Sequence, residues 1–436
     1  MRPQGTVFFQ FYRVVAAVSA PLVWYRVSRK LARHGVSAAR RRERLGHATL
    51  PRPEGRLIWF HAASVGESLS VLALARRMAE RDERTEVLIT SGTASSAEIL
   101  EKRMPPGCRH QFAPLDRRDA LRRFLAHWRP NAAIFVESEI WPQMLVAAHK
   151  AGVPLALVNA RMSASSLKNW QRFDETARYL LGLFTMIRTQ DQRTLDGLLE
   201  LGADPDRLAL GPNLKAMSDP LPVDEAAYAE IETSYSGLVW VAASTHPGEE
   251  EKIVDAQRRL SEMVPGARLI LVPRHPERAG EIADMIDRKG LSCARRSQTR
   301  DPEGAEVYVA DTLGEMGLWY QLSSVVFMGG SLGRAGGHNP YEPAQMNCAL
   351  ISGRRVANFA DTYAAFEEAG AVRLVKNAKE LAAAVALLLT DLEEQRAQQS
   401  VAMSLARSQM EELDGLAEAL EARLLSGPDA PETADD

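Results

Sequence analysis

The chain reads as an α/β protein built from two parallel sheets, each covered by helices. Three observations carry that reading. Short apolar runs of four to seven residues alternate with helix-like stretches from Arg56 onward, the pattern of strands buried on both faces. The runs fall into two sets separated by a stretch rich in Gly, Pro and Asp, Leu201 to Pro222. Polar residues gather where the runs stop, the carboxyl ends at which open parallel sheets bind ligands.

The first set comprises LIWFHA, VLIT, AAIFVE, LALVNA and MIRTQ; the second comprises LVWVAAS, RLILVPR, VYVAD, VVFMGG and ALIS. At 436 residues, two domains fit better than one. The expected division is an attachment segment over 1–30, a first α/β domain over 31–210, a linker over 211–222 and a second α/β domain over 223–424. The closing stretch over 425–436, which contains SGPDAPETADD, is expected to be disordered. Hydrophobic content of 46% with 25% charged residues is that of a folded soluble body. Three cysteines, Cys108, Cys293 and Cys348, support neither a disulfide frame nor a zinc knuckle.

Net charge is −3, yet Met1 to Gly55 holds eleven Lys/Arg against Glu43 and Glu54, leaving −12 for the remainder. Such asymmetry points to an anionic partner, a membrane surface or a polyanionic substrate. The same region contains GTVFFQFYRVVAAVSAPLVWYRVSRK. Its apolar length approaches a span but is broken by Arg13, which costs roughly 2.5–3.5 kcal/mol at mid-bilayer. Aromatic residues at both ends and the bases that follow favour attachment at an anionic membrane surface, with the main body cytoplasmic. A helix docked on its own protein is the alternative. No small-residue cleavage site precedes the arginine-rich run, so a signal peptide is not expected.

Strand ends supply the candidate chemistry. GGSLGRAGGHNPYEPA, Gly329 to Ala344, crowds glycines between an apolar run and a helix start; its backbone N–H groups suit a phosphate. It matches neither a P-loop nor the dinucleotide pattern. LVPRHPER places Arg274 and His275 after a strand, either as a phosphate clamp or as exposed ion pairs. VAASTHPGEEE offers Ser244, Thr245 and His246, followed by acids suited to a first helical turn. HAASVGES offers His61, Ser64 and Gly66, with Glu67 at a helix start, and SVGES is no nucleophile elbow. FVESEIWP supplies Glu137 and Glu139, whose two-residue spacing would put both carboxylates on one strand face. Glu43 sits in RRRERLG among arginines that favour its ionised form, as a general base needs and as a solvated ion pair also shows. The nine histidines show no H-x-x-x-H spacing, and DPD at Asp204 and Asp206 lies in the linker; no metal, no cofactor and no nucleic-acid partner are expected.

Taken in order, WFHAASVGES, FVESEIWP, NARMS, GPNLK, ASTHPGEEE, LVPRHPER, DTLGEMGLWY and GGSLGRAGGHNPYEPA closely resemble the bacterial 3-deoxy-D-manno-octulosonic acid (Kdo) transferases. The resemblance implies a GT-B glycosyltransferase with two facing Rossmann-like domains, an interdomain cleft and an N-terminal membrane-attachment helix on the cytoplasmic face of the inner membrane. It implies CMP-Kdo as donor, used without a metal, and the tetraacyl disaccharide bisphosphate precursor of lipid A as acceptor. Carried over by motif, Glu43 matches the catalytic base, and Arg274 serves the leaving phosphate. Ser244, Thr245, His246, His275, Gly330, Ser331, Gly336, Gly337, Asn339 and Glu342 fall on the donor side. His61, Ser64, Gly66, Glu137 and Glu139 fall on the acceptor side. The sequence departs from the family after Ala344, where only Asn358–Phe359 stands in place of its phenylalanine–asparagine element. Two other readings remain: a GT-B transferase or epimerase acting on another sugar nucleotide with a soluble acceptor, and a sugar-nucleotide-binding protein without catalysis.

Overall fold

The computed structural model describes residues 6–425 except 83, 215, 216, 218–220, 236, 300, 301 and 303. The expected linker lies partly, and the expected disordered tail from residue 426 wholly, outside the described residues. The chain forms two compact units, Met1–Met217 joined by the stretch from Glu411, and Ser218–Met410.

In the first unit seven strands run parallel: β1 (Arg56–His61), β2 (Thr85–Ser91), β3 (Cys108–Phe112), β4 (Ala132–Val136), β5 (Leu155–Ala160), β6 (Met186–Thr189) and β7 (Leu208–Leu210). Their order is β3-β2-β1-β4-β5-β6-β7. The second unit holds β8 (Val239–Thr245), β9 (Arg268–Pro273), β10 (Cys293–Arg295), β11 (Val307–Val309), β12 (Val325–Met328), β13 (Ala349–Gly353) and β14 (Val372–Val375), also parallel, in the order β10-β11-β9-β8-β12-β13-β14. Central strands are buried along their whole length, as AAIFV in β4 and VVFM in β12 show. Helices therefore cover both faces, and the apolar runs carry no alternation.

Strand order reverses direction between β1 and β4, and again between β8 and β12. Outside the carboxyl ends at such switch points, adjacent connections leave on opposite faces and open a crevice. His61 ends β1 and Glu137 follows β4; Thr245 ends β8 and Gly329 follows β12. Backbone strain marks the same places. Glu137 (φ 55°), Asn159 (φ 52°) and Ser244 (φ 56°) adopt left-handed conformations at strand ends, a geometry that Glu and Ser rarely take and that clusters at functional sites.

The helix Val7–Arg33 docks on the first unit at both ends. Phe8 stacks on Phe173, Tyr12 donates to Asp116 at 2.7 Å, and Leu31 packs with Ala97 and Phe112. Along the helix Val7, Phe11, Val14, Val15, Val18, Leu22, Val23 and Tyr25 are exposed. The last helix, Leu392–Leu424, begins in the second unit and ends in the first, where Arg77 pairs with Asp414 and Arg81 with Glu418 and Glu421. Nothing in its pattern distinguishes the part that rejoins the first unit, and the expected second domain ran on to residue 424.

Candidate active site

At the switch point of the first unit, β1 delivers His61 and the turn after β4 delivers two glutamates. His61 Nδ1 lies 3.0 Å from Thr90 Oγ1 on β2, which orients the ring. Its Nε2 faces Glu139 Oε2 at 3.4 Å. Burial pushes the Glu139 carboxyl up, but His61 and the Trp141 indole N–H outweigh it and hold the group below its ordinary value. The expectation that one strand face carries both carboxylates is corrected: β4 ends at Val136, Glu137 takes a left-handed turn, and Glu139 turns back toward His61.

Ser64 and Gly66 open the six-residue helix Val65–Ser70. Ser64 caps it, accepting from Glu67 N at 3.3 Å, while Glu67 reaches back to Ser64 Oγ and Ala63 N, a reciprocal capping box. Burial raises the Glu67 pKa, and the nearby carboxylates of Glu139 and Glu137 add to the rise. Three carboxylates and an imidazole thus meet at one strand-end crevice, a set able to grip sugar hydroxyls and to move a proton. Glu67 was legible in the sequence only as a helix-start residue.

Glu43 is not part of that set. It lies in the one-turn helix Glu43–Leu45 outside edge strand β3, which is two strand spacings, about 10 Å, from β1. The carboxylate is completely buried. Oε2 accepts the edge amide of Phe112 at 2.8 Å; Oε1 accepts from Thr49 Oγ1 and faces Arg40 Nε at 3.5 Å. Burial raises its pKa against these donors. Arg40 continues to His110 Nδ1 at 2.6 Å, and His110 Nε2 lies 2.9 Å from Ser91 Oγ at the end of β2. Burial and the Arg40 charge push His110 down to about 3, so this ring is neutral. Gly46 closes the ERLG turn at φ 83°, where a Cβ would sit 2.0 Å from Ala120 O. A cavity of about 540 Å³ opens beside Arg40, Thr49 and His110.

In the second unit, the glycine loop answers its own crowding differently from the phosphate cradle expected of Gly330, Gly336 and Gly337. The amides of Gly330 and Leu332 donate to Glu249, which also accepts from His246 N at 2.7 Å. Gly336 N and Gly337 N both donate to Gly330 O, at 3.1 and 3.0 Å. These donors are consumed inside the loop, because the loop folds over a buried carboxylate. Gly329 is demanded by close approach: a Cβ there would lie 2.6 Å from Ser244 O and 2.7 Å from Ala243 O. Glu249 was expected only as a first-turn acid; it is fully buried, burial raises its pKa, and three N–H donors oppose that rise. Asn358 braces the loop from outside, its N donating to Gly336 O at 2.9 Å and its Nδ2 to Ala335 O at 2.9 Å.

Beside this loop stands a cationic and imidazole group. His246 Nε2 and His338 Nε2 are 2.9 Å apart, one donating to the other, and the rings stack at 5.1 Å. His275 meets His246 edge-on at 5.9 Å. Burial, with His246 and Arg274 nearby, pushes His338 down to about 4; burial with His275, Arg274 and Arg278 also lowers His246. Arg274 follows β9, anchored by its N donating to Thr245 O at 2.9 Å, and its guanidinium is exposed with no carboxylate partner among the described residues. His275 pairs with exposed Glu277 at 3.4 Å. Ser331 Oγ accepts from Gly353 N at 2.7 Å, and Asn339 Oδ1 accepts from Tyr341 N at 3.1 Å, so both hold the loop. Glu342 sits in the first turn of the five-residue helix Tyr341–Gln345, near the buried Tyr320 hydroxyl.

Two parallel-sheet units with this strand order, each with polar residues gathered at its switch point, define the GT-B fold. The fold alone is also shared with a glycosyltransferase from Rickettsia africae, at a TM-score of 0.56 and 12% identity over 86% of this chain and all of that one. A family model described as 3-deoxy-D-manno-octulosonic-acid transferase matches residues 39–218. The 3-deoxy-D-manno-octulosonic acid transferase of Haemophilus influenzae is 30% identical over 88% of this chain and 91% of that protein. That of Rickettsia felis is 36% identical over 77% and 72%. The chain belongs to the 3-deoxy-D-manno-octulosonic acid transferase family.

Proposed function

We propose that this transferase moves Kdo from CMP-Kdo to the tetraacyl disaccharide bisphosphate precursor of lipid A, with inversion and without a metal. The observation that carries the reading is the exposed, carboxylate-free Arg274 beside the His246–His338 pair at the switch point of the second unit. A phosphodiester fits a cation flanked by neutral imidazole N–H donors. The acceptor's hydroxyl loses its proton to a carboxylate and bonds to the anomeric carbon as the bond to the phosphate oxygen breaks. CMP leaves with the electron pair, and Arg274 balances the charge that develops on it. Ser244, Thr245, His275, Ser331, Asn339 and Glu342 complete the donor side, with Gly330, Gly336 and Gly337 shaping the loop. His61, Ser64, Gly66, Glu137 and Glu139 form the acceptor side.

The base is Glu43 by motif. Its raised pKa gives a strong base once ionised, and its use requires Thr49 to swing aside. Glu139, held by His61 at the switch-point crevice, is the second reading, favoured by Glu43 lying outside the edge strand. The exposed apolar face of the helix Val7–Arg33 and the basic residues that follow it support attachment to an anionic membrane surface. The test is an assay of the purified chain with CMP-Kdo and the tetraacyl precursor, with and without chelator, read by mass spectrometry. Addition of Kdo insensitive to chelator is the expected result. Intact CMP binding with no transfer to the lipid, but transfer to a soluble sugar, would replace the acceptor.

A further inference from the structure

Helices Arg118–Trp128 and Pro142–Lys150 pack together in the first unit. Between them runs a groove of about 830 Å³, met at one end by Phe9 and Arg13 of the N-terminal helix. Five cations line it, Arg13, Arg118, Arg122, Arg129 and Lys150, and no acid does. Among the described residues none of the five has a carboxylate partner; Arg13 donates only to Gln10 Oε1, at 2.8 Å. The wall below the charges is apolar, made by Leu125, Val146 and Ala147.

The groove continues past Arg13 into an adjoining space of about 680 Å³ along Val14 and Ala17. The single acid there, Asp119, is engaged by Arg117 and by Arg123 at 3.0 Å. The opening thus reaches the exposed apolar face of the N-terminal helix, where Val14, Val18 and Leu22 stand in the open.

Five unneutralised cations around one cavity repel one another, so an anion bound there relieves a strain intrinsic to the fold. The apolar wall and the apolar helix face next to it select an anion that carries a hydrocarbon chain. Residues 1–5, which adjoin the groove in sequence, contain Arg2 and no acid and do not complement it. We propose that this groove binds one anionic glycerophospholipid from the membrane surface, its phosphate against Arg13, Arg118 and Arg122 and its chain along Leu125, Val146 and Ala147. The proposal rests on the reading that the N-terminal helix meets a membrane. It adds a stoichiometric lipid site to what would otherwise be diffuse attraction.

The test uses the full chain with short-chain phosphatidylglycerol below its micelle concentration, read by titration calorimetry and native mass spectrometry. Matched phosphatidylcholine and inorganic phosphate serve as comparison ligands. One phosphatidylglycerol per chain is expected, with both comparison ligands at least ten-fold weaker. The Arg118→Gln/Arg122→Gln pair should weaken binding at least ten-fold. Arg26→Gln/Arg29→Gln, which removes the same charge from the same region outside the groove, should leave it unchanged. Ala126→Trp, which fills the groove from an exposed position without altering charge, should abolish binding. Equal losses in the two arginine pairs would reduce the effect to bulk attraction and overturn the proposal. Inorganic phosphate binding as tightly as the lipid would overturn it too. So would a ten-fold gain on deleting the acidic residues 426–436, which would name the tail as occupant. Vesicle attachment of the unaltered chain is measured separately, so failure of the groove is distinguishable from failure of attachment.

Discussion

Replacing Glu43 by Gln separates a catalytic base from a structural bracket. Glutamine keeps an oxygen for the Phe112 amide, and its NH₂ meets Thr49 Oγ1, which turns to accept. What is lost is the charge facing Arg40 at 3.5 Å, on a side chain about one third exposed. Because burial outweighs the Arg40 charge and the hydrogen bonds, losing that charge changes stability by no more than about 1 kcal/mol, a change in Tm of at most about 2–4 °C for a unit of this size. Glu43→Ala strands the buried Phe112 amide and costs about 1–3 kcal/mol from that amide alone. General-base catalysis contributes roughly 10²- to 10⁴-fold. If Glu43 is the base, Glu43→Gln lowers kcat at least a hundred-fold, with CMP binding intact and Tm nearly so. A pH series adds a second check. Because the fold raises this pKa, its contribution to stability is full below the ordinary value of 4.5 and is lost as pH rises through the folded value. The native chain should therefore lose stability relative to Glu43→Gln as pH rises toward neutral. A Glu43→Gln enzyme within ten-fold of full activity would refute the base assignment and pass the role to Glu139.

Arg274→Gln should weaken CMP binding by about ten- to a hundred-fold, the loss of one charge-assisted contact of roughly 1.5–3 kcal/mol, read by calorimetry; an unchanged affinity would remove Arg274 from the phosphate site. Glu249→Ala orphans the amides of His246, Gly330 and Leu332 and should destabilise by more than about 3 kcal/mol, seen in calorimetric unfolding together with lost CMP binding. His338 should stay neutral on acidification to about pH 5 in an NMR titration, since its pKa is pushed down to about 4; its stabilising effect is present above the ordinary value of 6.5 and is lost as pH falls through the folded one. Gly329→Ala forces a Cβ against two backbone oxygens and should cost about 1–3 kcal/mol by urea unfolding.

The strands written in the sequence as unbroken apolar runs are the central ones, buried on both faces where no alternation is needed. The four the pattern passed over are β3, β7, β10 and β14, and all four are edges. Cys108–Phe112 reads CRHQF and Cys293–Arg295 reads CAR, polar because one side of an edge strand faces other partners or water. Motif order and strand-end chemistry likewise announced the family and most of the residues at the two switch points, because polar residues ending an apolar run have few other reasons to be there. Partnership was not legible. That Glu249 consumes the glycine-loop amides, that Glu43 closes an edge strand, and that His338 pairs with His246 all depend on contacts across tens of residues. So does the return of the last helix to the first unit. Residue types and local spacing determined which segments form strands and where chemistry stands. Tertiary structure decided which donors remain free for a ligand, because each buried donor and acceptor must find its partner wherever the folded chain supplies one.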